Sequence, residues 1–588
     1  MRSVYVVMIG IVSLANLIAI LWIPGLSWIL MFNLHKNQSF LETFVLSFSV
    51  SLSILSLGLG LGSLLKVSLG RWIVPVFVVI FAGTLIARIR SFKPDHTIPR
   101  RSTVEVGLLT LLLGHAALVF IYLWNYPIFH NTNTQDPLIH AQIVQNIVET
   151  DGAGLLGETN YTLGLHFILA LIVKNVPGEF LITVRLFVIF LEVITVPLVY
   201  FVSARIFSKK TAIIASFFYA FAVPLGVIHL SGPGTYANIL GDFQSLTVVY
   251  FLHQALDRRQ TANYLTLALA GGGLTLSHPS SMILLTYAWM FSFVILLSHR
   301  RMLTTYLKSI CMMSTVPALG LIAFPRLLLR VIDLFARSLA LPTPLGLILE
   351  IYFRNVAFFI GLLGYLVMVS PFLIFCIRNR SDQEDTLTFR KLTWISFLSG
   401  WFFYCSILSI QGNEIWRLVL YAAVPGSLLA AAGLSDVAML RWSRTEMLKS
   451  NSSIKRVLAP ALVLSILLAI LATSSAPFFF GEFFAPANRE RQIAVYESMC
   501  WIRDNTEKDD SFMSMKLPEY KYLPVVAHRR FIRDIETSFE EVQRLLPDLN
   551  VRYICGPTNE MKEKSLPAGF SVAFSNEFVT VLKIRKMS

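Results

Sequence analysis

Runs of roughly 20 apolar residues recur from the N-terminus to about Phe480, each long enough to cross a hydrocarbon layer of about 30 Å as a helix. Lipid offers backbone groups no water, so a chain with this many runs must fold as a bundle of helices that satisfy their own hydrogen bonds. Of 588 residues, 55% are hydrophobic and only 14% charged, and the mean hydropathy is +0.66. That balance excludes an ordinary soluble domain. The first run, about 27 residues behind Arg2, has no small-residue cleavage site and reads as an uncleaved span. From Arg489 to Ser588 charges are frequent and no long apolar run remains. Short alternating stretches there, such as Val551-Arg552-Tyr553-Ile554, predict a small mixed α/β domain.

A net charge of +14 would suit a nucleic-acid binder, but the basic residues sit in short clusters between apolar runs. Membrane orientation is encoded that way, so no nucleic-acid partner is expected. The loop Asn125 to Asn160 contains no Lys or Arg. If it is extracytoplasmic, the clusters Arg88/Arg90/Lys93, Arg205/Lys209/Lys210, Arg258/Arg259, Arg300/Arg301, Arg378/Arg380 and Arg441/Arg444 all face the cytoplasm. This holds only if Tyr161 to Val176 does not cross; the segment is short for a span and suits a re-entrant or interfacial helix. The expectation is a polytopic α-helical protein of the plasma membrane with about 14 transmembrane helices and an extracytoplasmic C-terminal α/β domain. Its divisions are N-terminal helices over 1–103, a transmembrane core over 104–480 with the outer loop 125–160, and the C-terminal domain over 481–588. Lys66 and Arg71 then lie outside. Cys500 and Cys555 share the outer domain, and their pairing is open.

Ionisable groups in or at the edge of a membrane are costly, so each is a functional candidate. Asp136, His140, Glu158, His166, His229, Asp242, His278, Arg326, Arg330, Glu414 and Arg417 all map to the outer face, which predicts a cavity opening outward. Asp136-Pro137-Leu138-Ile139-His140 opens an amphipathic helix, with Asp136 and His140 one turn apart on one face. Asp136 can be a general base there, with His140 orienting it, or merely an N-cap with Pro137 at the first helical position. His166 stands near the start of the short non-crossing helix, and Asp242 about one turn inside a span. Arg326, Arg330, Asp333 and Arg337 form one stripe that either grips a phosphate or snorkels at the interface. Glu414 and Arg417 either pair with each other or leave Arg417 as an anion ligand. No phosphate-binding glycine loop, dinucleotide fingerprint or zinc-finger spacing occurs.

Four stretches carry a resemblance. They are the acidic outer loop with Asp136 and His140; Tyr161-Thr162-Leu163-Gly164-Leu165-His166 followed by Val184-Arg185-Leu186; Leu276-Ser277-His278-Pro279; and Arg417-Leu418-Val419-Leu420-Tyr421-Ala422-Ala423-Val424-Pro425. In these the chain resembles the GT-C superfamily of multispan glycosyltransferases, which use polyprenyl-phosphate-linked sugars on the outer side of the membrane. The resemblance implies Asp136 as catalytic carboxylate. Gln135 and Thr162 depart from the common pattern, and three extra N-terminal spans precede the loop. Cys500-Trp501-Ile502-Arg503-Asp504-Asn505-Thr506 resembles a helix end in the outer domains of archaeal and bacterial members, whereas the W-W-D-Y-G acceptor motif of oligosaccharyltransferases is missing.

The implied reaction is attack of an acceptor hydroxyl on the anomeric carbon of a lipid-phosphate sugar, hexosyl or pentosyl. Asp136 acts as base beside His140, with His166, Asp242, His278, Arg326, Arg330, Glu414 and Arg417 as donor-binding candidates. The partners are the polyprenyl-phosphate donor, a glycan, lipid or protein acceptor, and membrane lipid. No sequence feature fixes a cofactor; a divalent metal ion is the one this chemistry could draw on. The rival classes are a transporter or lipid flippase, which would set its substrate near the bilayer midplane, and a non-catalytic GT-C-like partner protein.

Overall fold

The computed structural model describes residues 15–36, 38–67, 73–89, 103–126, 128–129, 136–152, 163–176, 179–221, 236–296, 300–323, 393–401 and 424–433, and most of 487–584. The membrane part is helical. The helices are α1 (Ile23–Met31), α2 (Phe40–Leu64), α3 (Ile73–Ile89), α4 (Thr103–Asn125), α5 (Asp136–Thr150), α6 (Gly164–Asn175), α7 (Phe180–Ile206), α8 (Lys209–Phe221), α9 (Tyr236–Arg258), α10 (Thr261–Ser277), α11 (Pro279–Leu296) and α12 (Arg300–Ala323).

Among the described residues, three stretches are long and apolar enough to cross a membrane: Phe40–Ser63, Val106–Trp124 and Phe180–Ile206. The total of fourteen spans depends on residues outside the description. With 12 residues, α6 reaches only about 18 Å, well short of the hydrocarbon layer. Its first nine residues are buried inside the bundle rather than turned to lipid.

The serine-rich sequence of α2 shows why an N-terminal span sits in the core. Ser47, Ser49, Ser51, Ser53 and Ser56 are buried, and such small side chains let helix backbones approach closely. Ser49 bonds Thr247 on α9, and Ser56 lies 3.0 Å from Ser277 on α10. The helix is capped by Ser39, whose hydroxyl accepts from the Glu42 N–H. Arg205 then grips the Glu42 carboxylate at 2.8 and 3.0 Å, and the Tyr250 hydroxyl donates to it at 2.8 Å. This cluster ties together the ends of α2, α7 and α9 that lie away from the candidate site.

The C-terminal domain begins with α13 (Ala487–Asn505) and continues through β1 (Ser511–Met515), a 3-10 turn (Pro518–Tyr522), α14 (Leu523–Ala527), β2 (Arg530–Ile535), β3 (Tyr553–Pro557), α15 (Thr558–Lys562), β4 (Phe570–Ser575) and β5 (Val579–Ile584). The five strands form one sheet in the order β2-β1-β3-β5-β4. Strand β1 is parallel to β2 and β3, whereas β5 is antiparallel to β3 and β4. Strands β1 and β3 are buried along nearly their whole length, and the hydroxyls that β1 buries are satisfied, Ser511 bonding the Asn550 carbonyl and Ser514 the Asp534 carboxylate. Cys500 on α13 and Cys555 on β3 are both free thiols.

Candidate functional site

Helix α5 begins at Asp136 itself, one residue earlier than an N-cap there would place it, within the ordinary margin of helix ends. The Asp136 side chain lies outside the description. One turn on, His140 is buried, with its Nδ1 2.9 Å from Nε2 of His166 on α6. One imidazole must donate and the other accept, so a single N–H lies between the two rings. The other face of His140 stacks on Tyr236, the first residue of α9, with centroids 5.7 Å apart and planes inclined by 22°.

Two glycines bring the remaining residues to the same place. A Cβ at Gly164, the first residue of α6, would stand 2.8 Å from the Ser277 hydroxyl and 2.9 Å from the Leu276 carbonyl. Only a glycine lets α6 start directly against the end of α10. There His278 caps α10, its Nδ1 2.8 Å from the Ser281 hydroxyl and 3.3 Å from the Ser281 nitrogen. A Cβ at Gly241 would lie 2.8 Å from both Cβ and Cγ of His278, so α9 passes the imidazole at contact distance. The next residue, Asp242, is buried. His140 and His166 thus meet directly, and His278 and Asp242 stand where α9 packs on the end of α10 beside the start of α6.

Two residues there were not among the sequence candidates, and both lie on α7. Arg185 is 2% exposed. Its Nη1 donates to the Phe129 carbonyl at 2.8 Å, and its guanidinium lies 5.5 Å from the Tyr122 ring centre. Its Nε and Nη2 are buried and find no acceptor among the described residues. Tyr236 and Tyr522 are within its electrostatic reach. Glu192 is fully buried two turns further along, within electrostatic reach of Asp242 and Tyr219. The signal was available: Arg185, Glu192 and Arg205 are the only charges in α7, and the first two share a face at i, i+7.

Arg326, Arg330, Glu414 and Arg417 lie outside the described residues, as do Glu158 and His229. Among the described residues no group of three or more His, Cys, Asp or Glu is placed to hold a metal ion. The facing nitrogens of His140 and His166 are engaged with each other, so this pair does not offer both of them to a metal.

Burial pushes the His140 imidazole from 6.5 down to about 4. An unfolded chain protonates this ring near pH 6.5, whereas the folded protein resists down to about pH 4. The contribution to stability is therefore fully present above pH 6.5 and is lost as the pH falls from there toward 4, by on the order of 3 kcal/mol. Thermal unfolding in detergent should show a lower midpoint at pH 5 than at pH 7.5, and the difference should shrink in His140→Phe. An undiminished difference in that variant would place the titration elsewhere.

Comparison with known proteins follows the same region. A family model described as dolichyl-phosphate-mannose-protein mannosyltransferase matches residues 161–327. No curated protein sequence matches. Among solved structures, the chain is similar to the archaeal oligosaccharyltransferase AglB from Archaeoglobus fulgidus in complex with an inhibitory peptide and a dolichol-phosphate, at 14% identity and a TM-score of 0.46 over 76% of this chain and 69% of that one. It is also similar to ArnT from Cupriavidus metallidurans bound to undecaprenyl phosphate, at 11% identity and a TM-score of 0.48 over 81% of this chain and 98% of that one. The family match spans the segment that holds His166, Arg185, Asp242 and His278, and the chain's resemblance to the GT-C glycosyltransferases that use polyprenyl-phosphate-linked donors is thereby borne out.

Proposed function

We propose that the chain is a membrane glycosyltransferase that moves a hexosyl or pentosyl unit from a polyprenyl-phosphate donor to an acceptor hydroxyl on the outer side of the membrane. The observation that carries the reading is Arg185, a buried guanidinium with two nitrogens unaccepted among the described residues, bonded to the Phe129 carbonyl in the segment that leads to Asp136. Buried donors of this kind are costly unless a ligand accepts from them. A phosphate does so with charge-assisted hydrogen bonds.

In this reaction the acceptor oxygen forms a bond to the anomeric carbon as the bond from that carbon to the phosphate oxygen breaks. The electron pair leaves with the polyprenyl phosphate, and the acceptor proton passes to the Asp136 carboxylate. Arg185 opposes the negative charge that develops on the leaving group, with Arg326, Arg330 and Arg417 as further cations drawn from the outer edge. The His140–His166 contact fixes the face that α5 presents to the site. His278 and Asp242 line the side that receives the sugar. The charge pattern between the spans supports an outward-facing site and an extracytoplasmic C-terminal domain.

Purified protein in detergent, given a panel of labelled hexosyl and pentosyl polyprenyl phosphates with crude envelope glycan, lipid or protein as acceptor, should release polyprenyl phosphate and label the acceptor. Movement of intact donor across proteoliposomes with no cleavage of any donor would replace this reading with a lipid flippase.

A further inference from the structure

The C-terminal domain grips the loop that leads to Asp136. Gln492 on α13 is buried, and its carboxamide oxygen accepts from the N–H groups of Ile128 at 3.2 Å and Phe129 at 3.0 Å. Its amide nitrogen donates to the Phe129 carbonyl at 3.0 Å, and the same carbonyl accepts from Arg185. Ile128 and Phe129 belong to neither helix nor strand, so no regular ladder satisfies these backbone groups. One side chain does the work of a paired strand across 363 residues of sequence.

Apolar packing points the same way. The Phe129 ring is 1% exposed and lies 5.2 Å from the Tyr522 ring. Leu138 and Ala141 of α5 pack into one apolar cluster with Val495 and Met499 of α13. Val144 and Ile147, further along α5, join the core of the membrane helices. Helix α5 is therefore held between the membrane helices and the C-terminal domain. Tyr522 comes within electrostatic reach of Arg185, so the domain also contributes to the wall of the site.

We propose that the C-terminal domain is a working part of the site, and that Gln492 is a positioning residue that sets the Ile128–Phe129 backbone and through it the placement of α5 and Asp136. The clamp stands on its own geometry; its consequence for sugar transfer rests on the reaction proposed above.

Hydrogen–deuterium exchange on the full-length protein in detergent tests it. In the wild type, the Ile128 and Phe129 amides should exchange as slowly as those of α13. Gln492→Met keeps the volume but removes all three bonds, and should speed exchange of the Ile128 and Phe129 amides by on the order of tenfold, with β1, β3 and β5 changed by less than about twofold. Gln492→Glu retains an oxygen for the two N–H groups and should recover most of the protection. In the transfer assay the Met variant should lose kcat by about tenfold with little change in the KM for donor, and the Glu variant should recover much of it. Wild-type Ile128 and Phe129 amides that exchange like an unprotected peptide would overturn the proposal, and this result needs no variant to fold. Unchanged exchange in Gln492→Met would overturn it as well. If the exchange pattern is as expected but no donor is cleaved, the proposed reaction falls and the clamp remains.

Discussion

Asp136→Asn is expected to abolish most sugar transfer while leaving the protein folded. As the first residue of α5, Asp136 is placed to favour the helix start through its charge, and Asn retains the hydrogen-bonding part of that role. Losing the charge should cost at most about 1 kcal/mol. As a general base, by contrast, Asp136 needs a carboxylate that can take the acceptor proton, which Asn lacks. The rate should fall by at least about 100-fold, the lower range of what a positioned base contributes. Transfer of labelled sugar from a polyprenyl phosphate, followed alongside the thermal midpoint, separates the two roles. Near-normal turnover with an unchanged midpoint would leave Asp136 as a helix-start residue and move the base elsewhere.

The candidate residues of this site were legible in the sequence, whereas their contacts were not. Sorting charged and histidine residues by orientation placed His140, His166, Asp242 and His278 at one membrane face, because an ionisable group in or at the edge of a membrane is costly and that cost is visible in one dimension. That His140 and His166 meet directly could not be read, since their contact depends on α6 entering the bundle beside α10, which in turn depends on the missing Cβ of Gly164. A glycine in an apolar segment gives no hint of which backbone it approaches. Arg185 was seen only as part of the Val184-Arg185-Leu186 motif, and Glu192 was passed over within an apolar span, although both are charges in a long apolar helix. In the C-terminal domain the alternation around Val551-Arg552-Tyr553-Ile554 does mark a strand, β3, which begins at Tyr553. The docking of that domain through Gln492 carries no local signal, because an amide side chain in a polar helix is as often solvated as bound.

Arg185→Met is expected to weaken polyprenyl-phosphate binding by about 10- to 100-fold, the effect of losing one or two charge-assisted hydrogen bonds at about 1.5–3 kcal/mol. A structural role makes a different demand. The Phe129 carbonyl that Arg185 holds is also held by Gln492, so the loop keeps one of its two donors in the variant. Among the described residues Arg185 shows no salt bridge, and an apolar side chain of similar length in its place can be neutral or even stabilising. If Arg185 serves the fold alone, the Met variant should therefore bind as the wild type does. If it binds phosphate, affinity for polyprenyl phosphate should fall while affinity for the uncharged polyprenol stays the same, since only the first presents an anion. Arg185→Lys sharpens the contrast, because a lysine keeps the charge but cannot reach the carbonyl and the ligand at once with a planar fork. It should recover part of the phosphate affinity and lose more of the transfer rate. Equal binding of polyprenyl phosphate to wild type and Met variant, measured by quenching of tryptophan fluorescence in detergent, would remove Arg185 from the site and leave the leaving-group charge to the arginines of the outer edge.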